Sequence, residues 1–278
     1  MEVSPRVRSA LKRAHEAGCK LVVCTGRPLG MVPRSVRHLG VMDYYLCANG
    51  AKVYDAKGHE LFARTMRQED VKCLMDEVAS LGPGWNVHSE GQSWIERTGV
   101  TYMVSGTRGI RARLRGHFPR SLRQVRSLFR GFLHFTFGEP GKSIVSSIDP
   151  VIAAHEQFEK VGCSFTSDEA CAEAVERIEA LGGFQVARVW ARELEITADG
   201  VTKGTTCDWL LNYVGEDKGR SVAFGDSMND APLIGHVGRF VAVGNASEEL
   251  KEICDEVCAS LSEDGVARWL EEQMNEAR

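Results

Sequence analysis

The chain has 278 residues, enough for two domains, and its 43% apolar and 26% charged composition is that of a globular protein. A formal net charge of −4 and a pI near 6.1 exclude binding to nucleic acid or an anionic membrane through bulk electrostatics. No apolar run approaches the ~20 residues that cross a bilayer, and the N-terminus "MEVSPRVRSALKRAHEAG" is charged rather than signal-like, so a cytoplasmic protein is expected.

From the start, residues 5 to 18 carry apolar positions at helical spacing (Val7, Ala10, Leu11, Ala14) and end at Gly18; "CKLVVCTG" then reads as a short buried strand. "RPLGMVPRSVRHLG" predicts a loop and helix, "YYLCA" a strand, and Asn49-Gly50 a tight hairpin into "AKVYD". Residues 66 to 198 lose this rhythm and mix several helices with isolated strands such as "FLHFTFG", which predicts an inserted second domain, a cap or lid. Within it Arg108 to Arg130 holds eight arginines and no acid. The spacing reads as a solvated helix face, with an anion-attracting lip as the alternative. "GEPGKS" at 138–143 lacks the first glycine of a phosphate loop and is followed by β-branched residues, so a hairpin turn is expected there.

The alternation returns after residue 198: strand "LEITADG", helix "TKGTTCDWLLNYVG", strand "SVAFGD", helix "NDAPLIGHVG", strand "FVAVGN" and helix "SEELKEICDEVCASL". Short apolar strands alternating with amphipathic helices predict an α/β fold, a doubly wound parallel-sheet, Rossmann-like core. The expected units are 1–65 (core), 66–198 (cap) and 199–278 (core). Nine scattered cysteines, an odd number, are expected to be reduced and buried, with Cys254 and Cys258 on the inner face of the last-named helix rather than paired as metal ligands. There is no Gly-x-Ser-x-Gly elbow, and no histidine stands in a catalytic context.

Ligands of doubly wound sheets bind beyond the carboxyl ends of the strands, where this sequence puts Thr25, Asp226 and Gly244. The Thr25 hydroxyl and the amides of Gly26 and Arg27 suit a phosphate oxygen. Lys203 opens a helix and can neutralise an anion, while Asp226 and Asp230, with Asn229 as a neutral helper, are the hard oxygen donors that Mg²⁺ prefers. Each signal is common alone; their order along one sheet is the stronger one.

"VVCTGRP", "GVTKGTT" and "FGDSMNDAPLI" resemble the second, third and fourth motifs of the haloacid dehalogenase-like phosphohydrolases. "CANGAKVYD" and "VAVGNASEELKEICDEV" are similar to their Cof-type branch, which carries a large α/β cap. The resemblance runs from about Ser4 to the end and is weakest through the cap. It implies an Mg²⁺-dependent phosphatase of small phosphorylated metabolites working through an aspartyl-phosphate. In that reading Thr25 bonds the phosphoryl group, Lys203 neutralises it, Asp226 coordinates Mg²⁺ with Asn229 and Asp230 completing or positioning the shell, and Asn49 and Gly50 sit at the substrate end.

The resemblance also implies a first, central strand ending in Asp-x-Asp-Gly-Thr, lying between the strands that end at Thr25 and Asp226. Its first aspartate would be the nucleophile and its second the general acid and base. No such motif occurs in these 278 residues. The expectation is an upstream start carrying the motif, and little or no turnover from the chain as written; the alternative is a non-catalytic phospholigand-binding or regulatory protein.

Overall fold

The structure, a computed structural model, describes residues 3–106 and 140–276. The arginine-rich stretch 108–130, "FLHFTFG" and the first part of "GEPGKS" lie outside the described residues. The chain opens with the helix Pro5–Glu16, capped by the Ser4 hydroxyl, which accepts the amide of Val7 at 3.1 Å. Ala10 and Ala14 are its buried face, as the spacing predicts. The Ser4 hydroxyl also donates to Asp264 at 2.6 Å, and Arg6 pairs with Glu271, so this helix lies against the last one, Gly265–Glu276.

Four strands follow: β1 (Val22–Cys24), β2 (Tyr44–Cys47), β3 (Lys52–Asp55) and β4 (Glu60–Ala63). They form one sheet in that order, β1 parallel to β2 and the rest antiparallel. The β2–β3 reversal is the expected tight one. Ala48, Asn49 and Gly50 all have positive φ (50°, 58° and 105°), a conformation that asparagine and glycine tolerate best.

The chain then runs through β5 (Met66–Arg67), β6 (Gly84–Ser89), β7 (Gln92–Glu96), β8 (Lys142–Val145), β9 (Gln157–Phe158), β10 (Lys160–Ser164), β11 (Phe184–Trp190) and β12 (Glu193–Ala198). Six of these build a second sheet in the order β11-β12-β10-β6-β7-β8, while β5 pairs with β9. Period-two alternation gives this sheet two unlike faces. Trp85, Val87, Val161, Cys163, Leu194 and Ile196 pack under the helices Gln68–Val78 and Asp168–Leu181, whose Val71, Leu74, Val78, Cys171, Ala174 and Ile178 complete one apolar core. The opposite face carries Asn86, His88, Lys160, Gly162 and Glu195, aligned by the β6–β10 and β10–β12 registers.

The third part contains the helix Lys203–Val214, β13 (Val222–Gly225), β14 (Arg239–Ala242) and β15 (Glu256–Val257), a parallel sheet in the order β13-β14-β15. Among the described residues β1 bonds only to β2 and β13 only to β14, so each leaves one unpaired edge. Val22 and Val222, which start those strands, are both 41% exposed. The two sheets nonetheless share a core, because Cys24 packs both with Leu46, Val53 and Leu210 and with Phe240, Ala242 and Leu250.

Three local expectations are corrected. Residues 228–233 form a 3-10 turn instead of an α-helix, since Pro232 cannot supply the amide that a regular helix needs there. The helix after Ser247 stops at Ile253 and the chain enters β15, so Cys254 and Cys258 share no helical face. All nine cysteines are free thiols, but Cys19 and Cys73 are exposed.

Candidate active site

Where β1 ends, the amide of Thr25 still bonds the Leu46 carbonyl at 2.9 Å and extends the ladder by one residue. The Thr25 hydroxyl oxygen then accepts the amide of Arg27 at 3.2 Å, which turns the chain at Gly26 and leaves the hydroxyl proton to donate.

Lys203 is the first residue of its helix, after Thr202, whose hydroxyl accepts the Thr205 amide at 3.0 Å. Its side chain is buried, and Nζ lies 2.6 Å from Asp230 Oδ1. The other oxygen, Asp230 Oδ2, accepts the backbone amide of Asp226 at 3.0 Å. Both oxygens of Asp230 are therefore engaged, whereas the exposed Asp226 carboxylate has no hydrogen bond or ion pair to another side chain among the described residues. Asn229 Oδ1 accepts the Ser227 hydroxyl at 2.7 Å.

The electrostatics divide these groups. Burial pulls the Lys203 ammonium down, and the negative potential of Cys24, Asp230 and Glu195 more than offsets it, so its pKa stands above the ordinary lysine value. Cys24 is pushed up to about 12 by burial and is a neutral thiol at pH 7; the two carboxylates are what keep the lysine charged. Partial loss of water around the carboxyl, followed by repulsion from Asp230, raises Asp226 above the usual carboxylate range. A carboxylate in that state is a good partner for a cation.

Asn49 and Gly50 are placed differently from each other. The Gly50 carbonyl accepts the Thr206 hydroxyl at 2.9 Å and docks the β2–β3 turn on the helix Lys203–Val214. Asn49 points at the second sheet, its Nδ2 donating to Glu195 Oε2 at 2.6 Å.

Two groups at this place were not singled out by the sequence. Lys160, on β10, donates from Nζ to the Gly26 carbonyl at 2.7 Å and pairs with Glu195 on β12. Burial would raise the Glu195 carboxyl, but Lys160, Asn49 and Lys203 together hold it below its ordinary value. The sequence signal was a charged residue between two apolar ones ("LEI") and a lysine opening a strand ("EKVG"), a pattern that normally marks a solvated face. Nearby, Glu159 accepts the Gly91 amide at 2.8 Å and pairs with Lys52 at 3.5 Å, and the Gly91 carbonyl accepts the Gly30 amide at 2.9 Å. Asn49 Oδ1, His88 Nδ1 and Glu159 Oε2 are buried polar atoms without a partner among the described groups.

No three His, Cys, Asp or Glu side chains among the described residues are grouped to hold a metal ion by themselves. Asp226 fits a hard divalent cation as a single carboxylate donor, with the remaining positions of an octahedron left to water or ligand oxygens.

Comparison with known proteins adds the following. The model of the haloacid dehalogenase-like hydrolase family matches residues 1–270. Phosphatase YwpJ of Bacillus subtilis is 24% identical over 272 residues, 97% of this chain and 93% of its own. The HMP-PP phosphatase of Serratia proteamaculans is 25% identical over 272 residues, 97% of this chain and 88% of its own. Among solved structures, a haloacid dehalogenase-like hydrolase from B. subtilis superimposes with a TM-score of 0.80 at 23% identity, covering 97% of this chain and 93% of that one. A sugar phosphatase of subclass IIB gives 0.72 at 22% identity, covering 98% and 92%. These superpositions carry the α/β core with its cap.

Proposed function

Because the chain belongs to the haloacid dehalogenase-like hydrolase family, we propose that it serves as the body of an Mg²⁺-dependent phosphatase acting on small phosphorylated metabolites. Hydrolysis would go through an aspartyl-phosphate, with the nucleophile on an upstream Asp-x-Asp-Gly-Thr strand that occupies the gap between β1 and β13. The observation that carries the reading is the buried Lys203–Asp230 pair at 2.6 Å beside the open Asp226 carboxylate. The unpaired edges of β1 and β13, each starting on an exposed valine, support the missing strand. The chain crosses between its sheets near residues 65 and 199, which fits units of 1–65, 66–198 and 199–278. No helix among the described residues is long and apolar enough to cross a membrane, and a cytoplasmic metabolite enzyme is the reading retained.

Each side chain then has a task. The Thr25 hydroxyl, its oxygen occupied by the Arg27 amide, donates its proton to a phosphoryl oxygen. Lys203 offsets charge on the same group, and Asp230 fixes both the lysine and the Asp226 backbone. Asp226 would hold Mg²⁺, whose chemistry is to neutralise phosphoryl charge and orient the group for in-line attack. Positioning and charge neutralisation supply most of the acceleration in phosphoryl transfer.

The absence of Asp-x-Asp-Gly-Thr from these residues favours a second reading, a phospholigand-binding or regulatory protein without turnover. The test is p-nitrophenyl phosphate hydrolysis by the 278-residue chain and by the chain extended in frame through such a motif. The phosphatase reading expects Mg²⁺-dependent turnover from the extended form only, lost on Asp226→Ala. Turnover that survives Asp226→Ala refutes it. No turnover from either form, with phosphate still raising the melting temperature, replaces it with the binding reading.

A further inference from the structure

We propose that Lys160 and Glu195 are positioning residues of the proposed phosphate site: a cap-borne ion pair that sets the Thr25–Arg27 loop in its anion-binding form only while the cap is seated on the core. The inference rests on the phosphatase reading and adds to it how the site is assembled.

Lys160 is 2% exposed, a burial that an ammonium withstands only with strong partners. It has two: Glu195, its neighbour on the cap sheet, and the carbonyl of Gly26 on the core, 2.7 Å away. Glu195 is in turn held from the core by Asn49 Nδ2 at 2.6 Å. Asn49 folds back over Gly26 so closely that a methyl group there would lie 2.8 Å from Asn49 Oδ1 and 3.5 Å from both Lys160 Nζ and Glu195 Oε2. Gly26, Lys160, Glu195 and Asn49 therefore form a closed circuit that passes from core to cap and back.

The circuit acts on the site through one peptide. Fixing the Gly26 carbonyl fixes the plane of the Gly26–Arg27 peptide, and the Arg27 amide, which points the opposite way within that plane, is the one donated to Thr25 Oγ1 at 3.2 Å. That bond sets the threonine hydroxyl so that its proton is available to a phosphoryl oxygen. Lifting the cap takes Lys160 away from Gly26 and Glu195 away from Asn49 together, which frees the peptide and the hydroxyl it orients. Phosphate recognition and cap closure are thus coupled.

The alternative is that the pair merely stabilises the seam, and the molecule contains its own control. Lys52–Glu159 also bridges core and cap, but among the described residues it ends on the Gly91 amide and makes no hydrogen bond or ion pair with residues 25–27. The experiment compares Lys160→Met, the milder Glu195→Gln and Lys52→Met. It measures inorganic phosphate affinity by calorimetry in Mg²⁺, amide hydrogen exchange at Gly26 and Arg27, and melting temperature. Positioning predicts about tenfold weaker phosphate binding for Lys160→Met, the scale of one charge-assisted hydrogen bond. It also predicts faster exchange at Gly26–Arg27, a smaller change in the same sense for Glu195→Gln, and affinity within about twofold of the parent for Lys52→Met. Equal losses of affinity in the two lysine variants, or unchanged exchange at Gly26–Arg27 in Lys160→Met, overturn the proposal. If the parent chain binds no inorganic phosphate, hydrolysis by the extended form remains the test of the phosphatase reading, and the exchange comparison alone decides whether Lys160 sets the loop.

Discussion

Replacing Lys203 by Met removes the partner of a carboxylate that has almost no water around it. Asp230 is 7% exposed, and its Oδ1 would lose the one ammonium within hydrogen-bonding distance among the described residues while Oδ2 kept the Asp226 amide. Breaking a buried ion pair from one side costs about 3–5 kcal/mol, because the remaining charge is left uncompensated. At roughly 2–4 °C per kcal/mol for a chain of this size, the melting temperature should fall by about 10 °C. Asp230→Ala should cost a similar amount from the other side. The double variant Lys203→Met/Asp230→Ala should lose at least ~2 kcal/mol less than the sum, since neither charge is then stranded. Melting is followed by tryptophan fluorescence, Trp209 lying in the helix that Lys203 opens. Single losses below ~2 °C, or an additive double variant, would refute the view that this pair is a tightly coupled part of the site.

Gly204→Ala tests packing against propensity. Alanine is favoured in a helix interior by about 1 kcal/mol, but a Cβ here would overlap the Pro232 carbonyl and the His236 ring, so a melting temperature lower by several degrees is expected. His88 is held neutral by burial first and by Lys160 second, with its pKa well below 6.5. A depressed histidine costs nothing above pH 6.5. Below it the unfolded chain gains a proton that the folded one refuses, so stability falls by about 1.4 kcal/mol per pH unit from 6.5 down to the folded pKa. His88→Gln should flatten the melting-temperature profile between pH 6.5 and 5, and an unchanged slope would show that His88 is not the group. Iodoacetamide on the native chain should modify Cys19 and Cys73 first, with Cys47 and Cys163, buried thiols pushed up by desolvation, reacting only on unfolding; mass spectrometry of the peptides reads this directly.

The parts of the fold that were legible share a physical reason. Short apolar runs closed by turn residues mark strands, so "LVVC", "VAFG" and "FVAV" could be read directly, although only the last is buried along its length. The first helix declared itself through Ser4, Pro5 and the Ala10–Ala14 spacing. What failed was decided by backbone geometry that a periodicity count does not include. "NDAPLIGHVG" reads as a helix, but Pro232 tightens Met228–Leu233 into a 3-10 turn. "SEELKEICDEVCASL" reads as one helix from its Ser247 cap, whereas after Ile253 pairing of Glu256 and Val257 with β14 wins. Thr25, Lys203 and Asp226 were visible because they stand at element ends, where function concentrates in this architecture. Lys160 and Glu195 were not, because their strand positions read as solvent-facing until a second layer covers them.

The charge pattern of the assembled site distinguishes Asp230, whose carboxylate is paired, from Asp226, four residues away, whose carboxylate is open. The turn Met228–Leu233 brings the Asp230 side chain back beneath the Asp226 amide, so the two carboxylates repel at short range. Lys203 bonds the inner one directly and acts on the outer one only through space. Taken with Glu195 and Lys160, the cluster has three carboxylates against two ammonium groups and keeps one negative charge, seated at the exposed Asp226. A phosphate dianion arriving alone would meet that charge in a partly dehydrated site, where like charges repel far more than in water. On the proposed reading a divalent cation held by Asp226 would offset that charge, and the same groups would then favour an anion. On the proposed reading, phosphate affinity should therefore depend on Mg²⁺ even where no bond is broken, and the dependence should vanish in Asp226→Asn, which removes the charge that the cation must offset.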